Sequence, residues 1–274
     1  MIYIVIPSMV TYDVQITSCC CIDGYNIKKN HIKETKSVFH ACRAATVDVV
    51  KDIAWLHRKL CTLETVKVLT AFAPLYVSAR LIDKKVHSHF YNDSCHTNKN
   101  QLPSTFSKVI NKGGDVGIIA LSSLAFFAQD EQLRLTARIF GIGAIFTLCA
   151  KDIIKECKLD ANKRPWNEHF SKKVTYGGFP SGHMAEAAYM AVVWGLQYGL
   201  KAAVPLTAFA LTSFGVLVNC NRHYVSQVVG GAALGAIYGL AANAVINKKI
   251  AETITFEMIN DSQGLPNLTL GYRF

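Results

Sequence analysis

The sequence predicts an all-α fold, a bundle of six helices followed by a C-terminal β-hairpin tail. Three observations predict it. Apolar segments recur at about Val66–Ile82, Val116–Ala128, Leu135–Ala150, Met184–Leu200, Ala202–Val218 and Val228–Ile246, each longer than an ordinary strand and long enough for several helical turns. Hydrophobic residues make up 51% of the 274, and the mean hydropathy of +0.22 is high for a soluble protein but below a chain that is nearly all membrane. Gly231, Gly235 and Gly239 recur every fourth residue, which puts them on one helix face where a neighbouring backbone can come close.

Residues 1–64 form an N-terminal region to which the sequence assigns no role. Val5 to Ile16 fits a strand or a short apolar anchor, and Thr35 to Leu63 fits a mostly helical stretch of mixed charge. The start Met1-Ile2-Tyr3-Ile4-Val5-Ile6 has no basic segment, and Asp13 interrupts the apolar run, so no cleaved signal is expected. Ile16-Thr17-Ser18-Cys19 resembles a lipoprotein cleavage site only faintly. The nine cysteines include the consecutive Cys19, Cys20 and Cys21, a pattern of neither a zinc site nor a disulfide framework.

Residues 65–248 hold the six helices. Several are shorter than the ~20 residues that cross a bilayer untilted, so two arrangements fit: spanning helices extended by polar interfacial residues, or core helices of a soluble bundle. The small-residue face favours the membrane. The polar connection Asp83–Gly114 carries His87, His89 and His96, whose irregular spacing and few carboxylate partners fit a solvated loop better than a metal site. In the tail, 249–274, Ile254–Met258 and Leu268–Phe274 flank Gly264-Leu265-Pro266 as a hairpin. Its terminal Phe resembles the end of an outer-membrane barrel, but one hairpin cannot close a barrel.

Net charge is +10, with Lys151, Lys155, Lys158, Lys163, Arg164, Lys172 and Lys173 crowded into one short segment. Such a surface suits anionic head groups, phosphate esters or nucleic acid. With no nucleic-acid module in the chain, a phosphoester substrate and a membrane are the expected partners. Oligomeric state stays open.

The stretch richest in chemistry is Tyr176-Gly177-Gly178-Phe179-Pro180-Ser181-Gly182-His183-Met184-Ala185. The two glycines allow positive φ and close approach to a ligand. Ser181 stands where a helix N-cap is wanted, and His183 falls in the first turn of the helix that follows. Unpaired N–H groups and the helix dipole make such a turn an anion site, where a histidine can move a proton. A Gly-Pro turn with an incidental histidine is the alternative.

Two flanking segments bear on that choice. Lys158-Leu159-Asp160-Ala161-Asn162-Lys163-Arg164-Pro165-Trp166 lies upstream, and Asn221-Arg222-His223-Tyr224-Val225-Ser226-Gln227 lies downstream, opening a second small-residue helix. Because successive helices alternate in direction, both loops fall at the same end of the bundle. The ordered set over roughly residues 110–246 resembles the type 2 phosphatidic acid phosphatase superfamily, the clan of lipid phosphatases, acid phosphatases and vanadium haloperoxidases. That resemblance implies a membrane-embedded, metal-independent phosphoric monoester hydrolase without a cofactor. It implies a bacterial inner membrane, with the site on the periplasmic face. Its expected residues are His183 as general acid and His223 as a nucleophile that forms a phosphohistidine. Lys158, Arg164, Ser181, Gly182 and Arg222 would bind the phosphate.

The third motif departs from the family pattern. Val216 and Leu217 stand where the family has Ser-Arg, and Gln227 stands where it has Asp. Lys158 is six residues before Arg164, whereas the family register falls on Cys157. Gln227 is expected to accept the His223 Nδ1–H through its amide oxygen, leaving Nε2 to attack, and Gln227→Asp is expected to raise turnover. Arg222, Asn219 and Asn221 are candidates to replace the missing arginine, and the two histidine rings are expected to face one pocket. A second reading is a catalytically impaired relative that binds anionic phospholipid or serves a structural role. A vanadate-dependent peroxidase would want the full arginine set.

Overall fold

The computed structural model describes residue 43 and residues 46–92, 97–99, 102–165, 176–260 and 266–272. The readings made on Val5–Ile16, Cys19–Cys21, His96, Lys172 and Lys173 lie outside the described residues.

Apolar segments that must satisfy their own backbone groups become helices, and seven α-helices stand among the described residues. They are α1 (46–60), α2 (Leu63–Phe90), α3 (Ser104–Phe127), α4 (Glu131–Glu156), α5 (Gly182–Tyr198), α6 (Leu200–Asn219) and α7 (Val225–Thr253). A short ladder pairs β1 (Tyr91–Asn92) with β2 (Thr97–Asn98), and an antiparallel one pairs β3 (Ile254–Asn260) with β4 (Pro266–Tyr272). The six-helix expectation omits α1. Its mixed charge hides a packed helix, in which Leu56 is 1% exposed and the buried Asp52 pairs with Arg138 of α4 at 3.1 Å and Lys249 of α7 at 2.5 Å.

Five helices, α2, α3, α4, α6 and α7, are long and apolar enough to cross a membrane. Their outward faces carry Leu69, Leu75, Val77, Leu81, Ile119, Phe127, Val204 and Leu211, all exposed, a surface that suits lipid rather than water. At 17 residues, α5 is shorter. It is the central helix, with Ala185, Tyr189 and Val193 fully buried. Tyr189 stacks on Phe140 at 5.0 Å and donates its hydroxyl to the Phe140 carbonyl at 2.8 Å, fixing α5 to α4.

The glycine face of α7 lies against α5. A Cβ at Gly231 would come within 2.4 Å of the Ser181 carbonyl oxygen, and one at Gly235 within 2.2 Å of the Ala185 carbonyl oxygen. The spacing therefore brings the two site-bearing helices into backbone contact. The expected solvated loop after Ile82 is instead the last two turns of α2. These turns are polar because they contact the other site loops: Asp83 meets Ser226, and His87 Nδ1–H donates to Asn221 Oδ1 at 2.7 Å. The C-terminal ends of α2, α4 and α6 thus meet the N-terminal ends of α5 and α7.

Candidate functional site

After α4, a single 3-10 turn at Asp160–Asn162 reverses the chain. Asn162 is fully buried, and its Nδ2–H donates to the Ile154 carbonyl at 2.6 Å, anchoring the turn to the helix it leaves. Its carbonyl accepts the Gly178 N–H at 2.8 Å. Arg164 is therefore held between two tied points. Its Nη2–H donates to the Gly177 carbonyl at 3.1 Å, and its Nη1–H donates to the Arg222 carbonyl at 3.2 Å. The same Nη1 approaches His223 Nε2 at 3.4 Å.

His223, 3% exposed, follows α6 and precedes α7. Its Nδ1–H donates to the Gly178 carbonyl at 2.8 Å, which leaves the Nε2 lone pair facing the Arg164 guanidinium. Burial, reinforced by the charge of Arg164, holds the ring's pKa well below its usual 6.5, while the Gly178 bond and nearby Gln227 pull the other way. Burial and the Arg222 charge likewise push the Arg164 pKa down. The ring is thus a neutral base with one free nitrogen, oriented from behind and polarised from in front.

The expected bond from Nδ1 to Gln227 goes to Gly178 instead. Gln227, 1% exposed, spends its amide elsewhere: Nε2–H groups donate to the carbonyls of Ala161 at 2.9 Å and Lys163 at 2.6 Å, and Oε1 accepts the Tyr224 N–H at 3.2 Å. An acceptor already holding its own helix N-terminus is poorly placed to hold the imidazole.

Ser181 is the N-cap residue of α5 but makes no side-chain cap bond. Its N–H, expected to bind phosphate, donates to the Gln227 carbonyl at 3.0 Å, and its fully buried Oγ has no partner among the described residues. Gly182 and His183 open α5, at the end where backbone N–H groups lack intrahelical partners. His183 is close enough for its charge to oppose protonation of His223. Arg222 lies beside Arg164 and lends its carbonyl.

Lys158 does not join this group. It is exposed, in the left-handed region at φ 48, on the outside of the turn. The lysines that approach the Gly-Gly-Phe-Pro-Ser-Gly loop come from the last turns of α4. The Lys155 Cδ would lie 3.1 Å from a Cβ at Gly177, and the Lys151 Cδ 3.8 Å from one at Gly182. Sequence spacing pointed past them, because a helix stacks residues at i and i+4 on one face. Asn219 and Asn221 are also diverted: Asn219 Oδ1 accepts the Leu102 N–H at 2.7 Å, and Asn221 accepts from His87.

Asp83 of α2 was not legible as a site residue. Buried at 4% exposure, it accepts the Ser226 N–H at 3.0 Å and the Ser226 hydroxyl at 2.5 Å, capping the helix that carries Gln227. Beside the site, between α2 and α7, lies an apolar cavity of about 330 Å³ lined by Phe72, Ala73, Tyr76, Phe179, Pro180 and Ala233, among others. No group of three or more metal-ligating side chains occurs among the described residues.

Residues 135–251 match the family model of the PAP2 superfamily. The chain is similar in fold to the crystal structure of a transmembrane PAP2-type phosphatidylglycerolphosphate phosphatase from Bacillus subtilis. That likeness is at 16% identity with a TM-score of 0.45, and covers 69% of this chain and 98% of the other. No curated protein matches the sequence.

Proposed function

We propose, for a chain whose residues 135–251 belong to the PAP2 superfamily, that it is a membrane phosphatase acting on a lipid phosphate through a phosphohistidine at His223. The observation that carries this reading is the His223 ring, with Nδ1–H on the Gly178 carbonyl at 2.8 Å and Nε2 3.4 Å from Arg164. A phosphoryl group between Nε2 and the guanidinium meets a nucleophile and a fork of N–H donors together. Nε2 attacks phosphorus, the P–O bond to the leaving alcohol breaks, and His183 gives that oxygen its proton. Water then attacks the P–N bond with His183 as base, releasing phosphate and regenerating the neutral ring. Gly182, the Ser181 hydroxyl, Arg222 and Lys151 supply further neutralisation of the oxyanion.

The apolar cavity supports a lipid over a water-soluble ester. Phe179 and Pro180 form part of its wall and lead directly into Ser181, so one molecule can place a phosphate in the site and a hydrocarbon chain beside α2 and α7. The five apolar helices support a membrane location, and we place the site on the periplasmic face of a bacterial inner membrane.

The test is phosphate release by detergent-solubilised protein from short-chain and long-chain phosphatidic acid and from an aryl phosphate, with EDTA present. Wild type is expected to hydrolyse all three and His223→Ala none. Ala233→Trp, which fills the cavity, is expected to raise KM for the long-chain lipid and spare the aryl phosphate. Equal rates from wild type and His223→Ala would end the catalytic reading and leave an anionic-lipid-binding relative.

A further inference from the structure

Gln227 touches more parts of the site than any other side chain described, and each of its polar atoms is committed. The Nε2–H groups reach the carbonyls of Ala161 and Lys163, on either side of the turn that delivers Arg164. Oε1 takes the Tyr224 N–H, and the backbone carbonyl takes the Ser181 N–H at 3.0 Å. The amide plane lies under Gly178: a Cβ there would stand 2.5 Å from Gln227 Nε2 and 2.6 Å from Oε1. Gly178 is the residue whose carbonyl orients His223.

We infer that Gln227 is a positioning residue that acts as a hydrogen-bond donor, clamping the Ala161–Lys163 turn onto α7 and thereby setting Arg164 against His223. This assignment rests on the catalytic reading of Arg164 and His223 for its effect on rate, though the clamp itself does not. The chemistry requires an amide. Two carbonyl oxygens 2.9 and 2.6 Å away demand two N–H donors, and a carboxylate has none. A carboxylate there would set two carbonyl oxygens against a buried negative charge, which costs more than losing the bonds. Gln227 is therefore a device suited to this turn, and replacing it with an acid is expected to harm the site rather than repair it.

The experiment compares Gln227→Met, which keeps length and removes both donors, with Gln227→Glu, which keeps shape and reverses the hydrogen-bond polarity. Three quantities are read in the full chain in detergent: kcat/KM on an aryl phosphate, affinity for orthovanadate, and amide hydrogen exchange. A donor clamp gives kcat/KM in the order wild type, Met, Glu, with losses of about 10-fold and about 100-fold. Vanadate binding weakens in the Met variant, where no new charge can repel it. The Asn162, Lys163 and Gly178 amides exchange faster, while mid-helix amides of α5 do not. Glutamate equal to or better than glutamine would overturn the inference, since that order belongs to an acceptor serving the imidazole. Three equal activities with unchanged vanadate affinity would also overturn it, as would a uniform loss of stability that leaves vanadate affinity intact. If wild type itself releases no phosphate, the proposed function fails, and exchange at Asn162, Lys163 and Gly178 decides the clamp alone.

Discussion

Asp83 is the residue whose removal the structure prices most directly. It sits on α2, 143 positions before Ser226, and its two carboxylate oxygens accept both donors of that residue. The bonds are 3.0 Å from the backbone N–H and 2.5 Å from the hydroxyl. Asp83→Ala removes a charged cap from α7 and strands two buried donors. Bonds to a charged acceptor contribute about 1.5–3 kcal/mol each. Because both donors belong to one residue, the losses overlap rather than add, and about 3 kcal/mol is expected. Arg80, at 3.4 Å and 46% exposed, adds little to that figure. For a domain near this size 1 kcal/mol moves the melting midpoint by about 2–4 °C, so the expected fall is about 6–12 °C. Asp83→Asn, keeping one acceptor, should lose roughly half as much. Thermal unfolding in detergent, followed by tryptophan fluorescence, gives the answer. A midpoint for Asp83→Ala within about 2 °C of wild type would refute the claim that this carboxylate holds the N-terminus of α7.

Four further outcomes are expected. Arg164→Lys replaces a fork that spans two carbonyls and an imidazole by a point charge, and kcat/KM for phosphoester hydrolysis should fall about 100-fold. Unchanged kinetics would remove Arg164 from the site. Because the His223 pKa is held well below 6.5, kcat/KM should stay level as pH falls through 6.5 and drop only well below it, whereas a profile halved near 6.5 would contradict the burial argument. The unfolded ring binds its proton near 6.5, so this histidine contributes stability present above that pH and lost as pH falls toward the folded value, a trend that denaturation at stepped pH can follow. Gly235→Leu would drive a Cβ to 2.2 Å from the Ala185 carbonyl oxygen and force α5 from α7 at about 3 kcal/mol or more, visible as a lost or lowered unfolding transition. Leu217→Arg, which restores the family residue, buries a cation at a fully buried position among Met184, Ala187, Ala210 and Val228. It should cost about 3–5 kcal/mol and give no gain in turnover, so a well-folded, faster variant would show that the side chain can reach the phosphate.

Helices were legible because their signal is apolar run length, which needs no partner. The boundaries were not legible where a helix leaves the apolar band. α2 continues eight residues past Ile82 because Asp83 and His87 find partners on the 219–227 loop, and no local propensity encodes a partner 143 residues away. α1 was obscured for the same reason, since its Asp52 looks like a surface charge until Arg138 and Lys249 close on it.

At the site, residue identity was read more reliably than residue role. Arg164, Ser181, Gly182, His183, Arg222 and His223 gather at one end of the bundle, as helix alternation requires. Lys158 does not, because counting along a motif assumes an unbroken register, and the 3-10 turn at Asp160–Asn162 shifts it. The deepest misreading was to treat Gln227 as a weakened aspartate. That inference compares side chains at one position and supposes that the surroundings are constant. Here the orienting acceptor for His223 is a backbone carbonyl, supplied by a glycine that a Cβ would displace. Once Gly178 carries that task, an acid at 227 has no imidazole proton to accept, and the carbonyls of Ala161 and Lys163 make a donor the better choice. Leu217 follows the same logic, packed into the apolar cluster rather than facing the phosphate loop. The two departures that suggested decay in the sequence are thus consistent with a site that holds its nucleophile through the main chain.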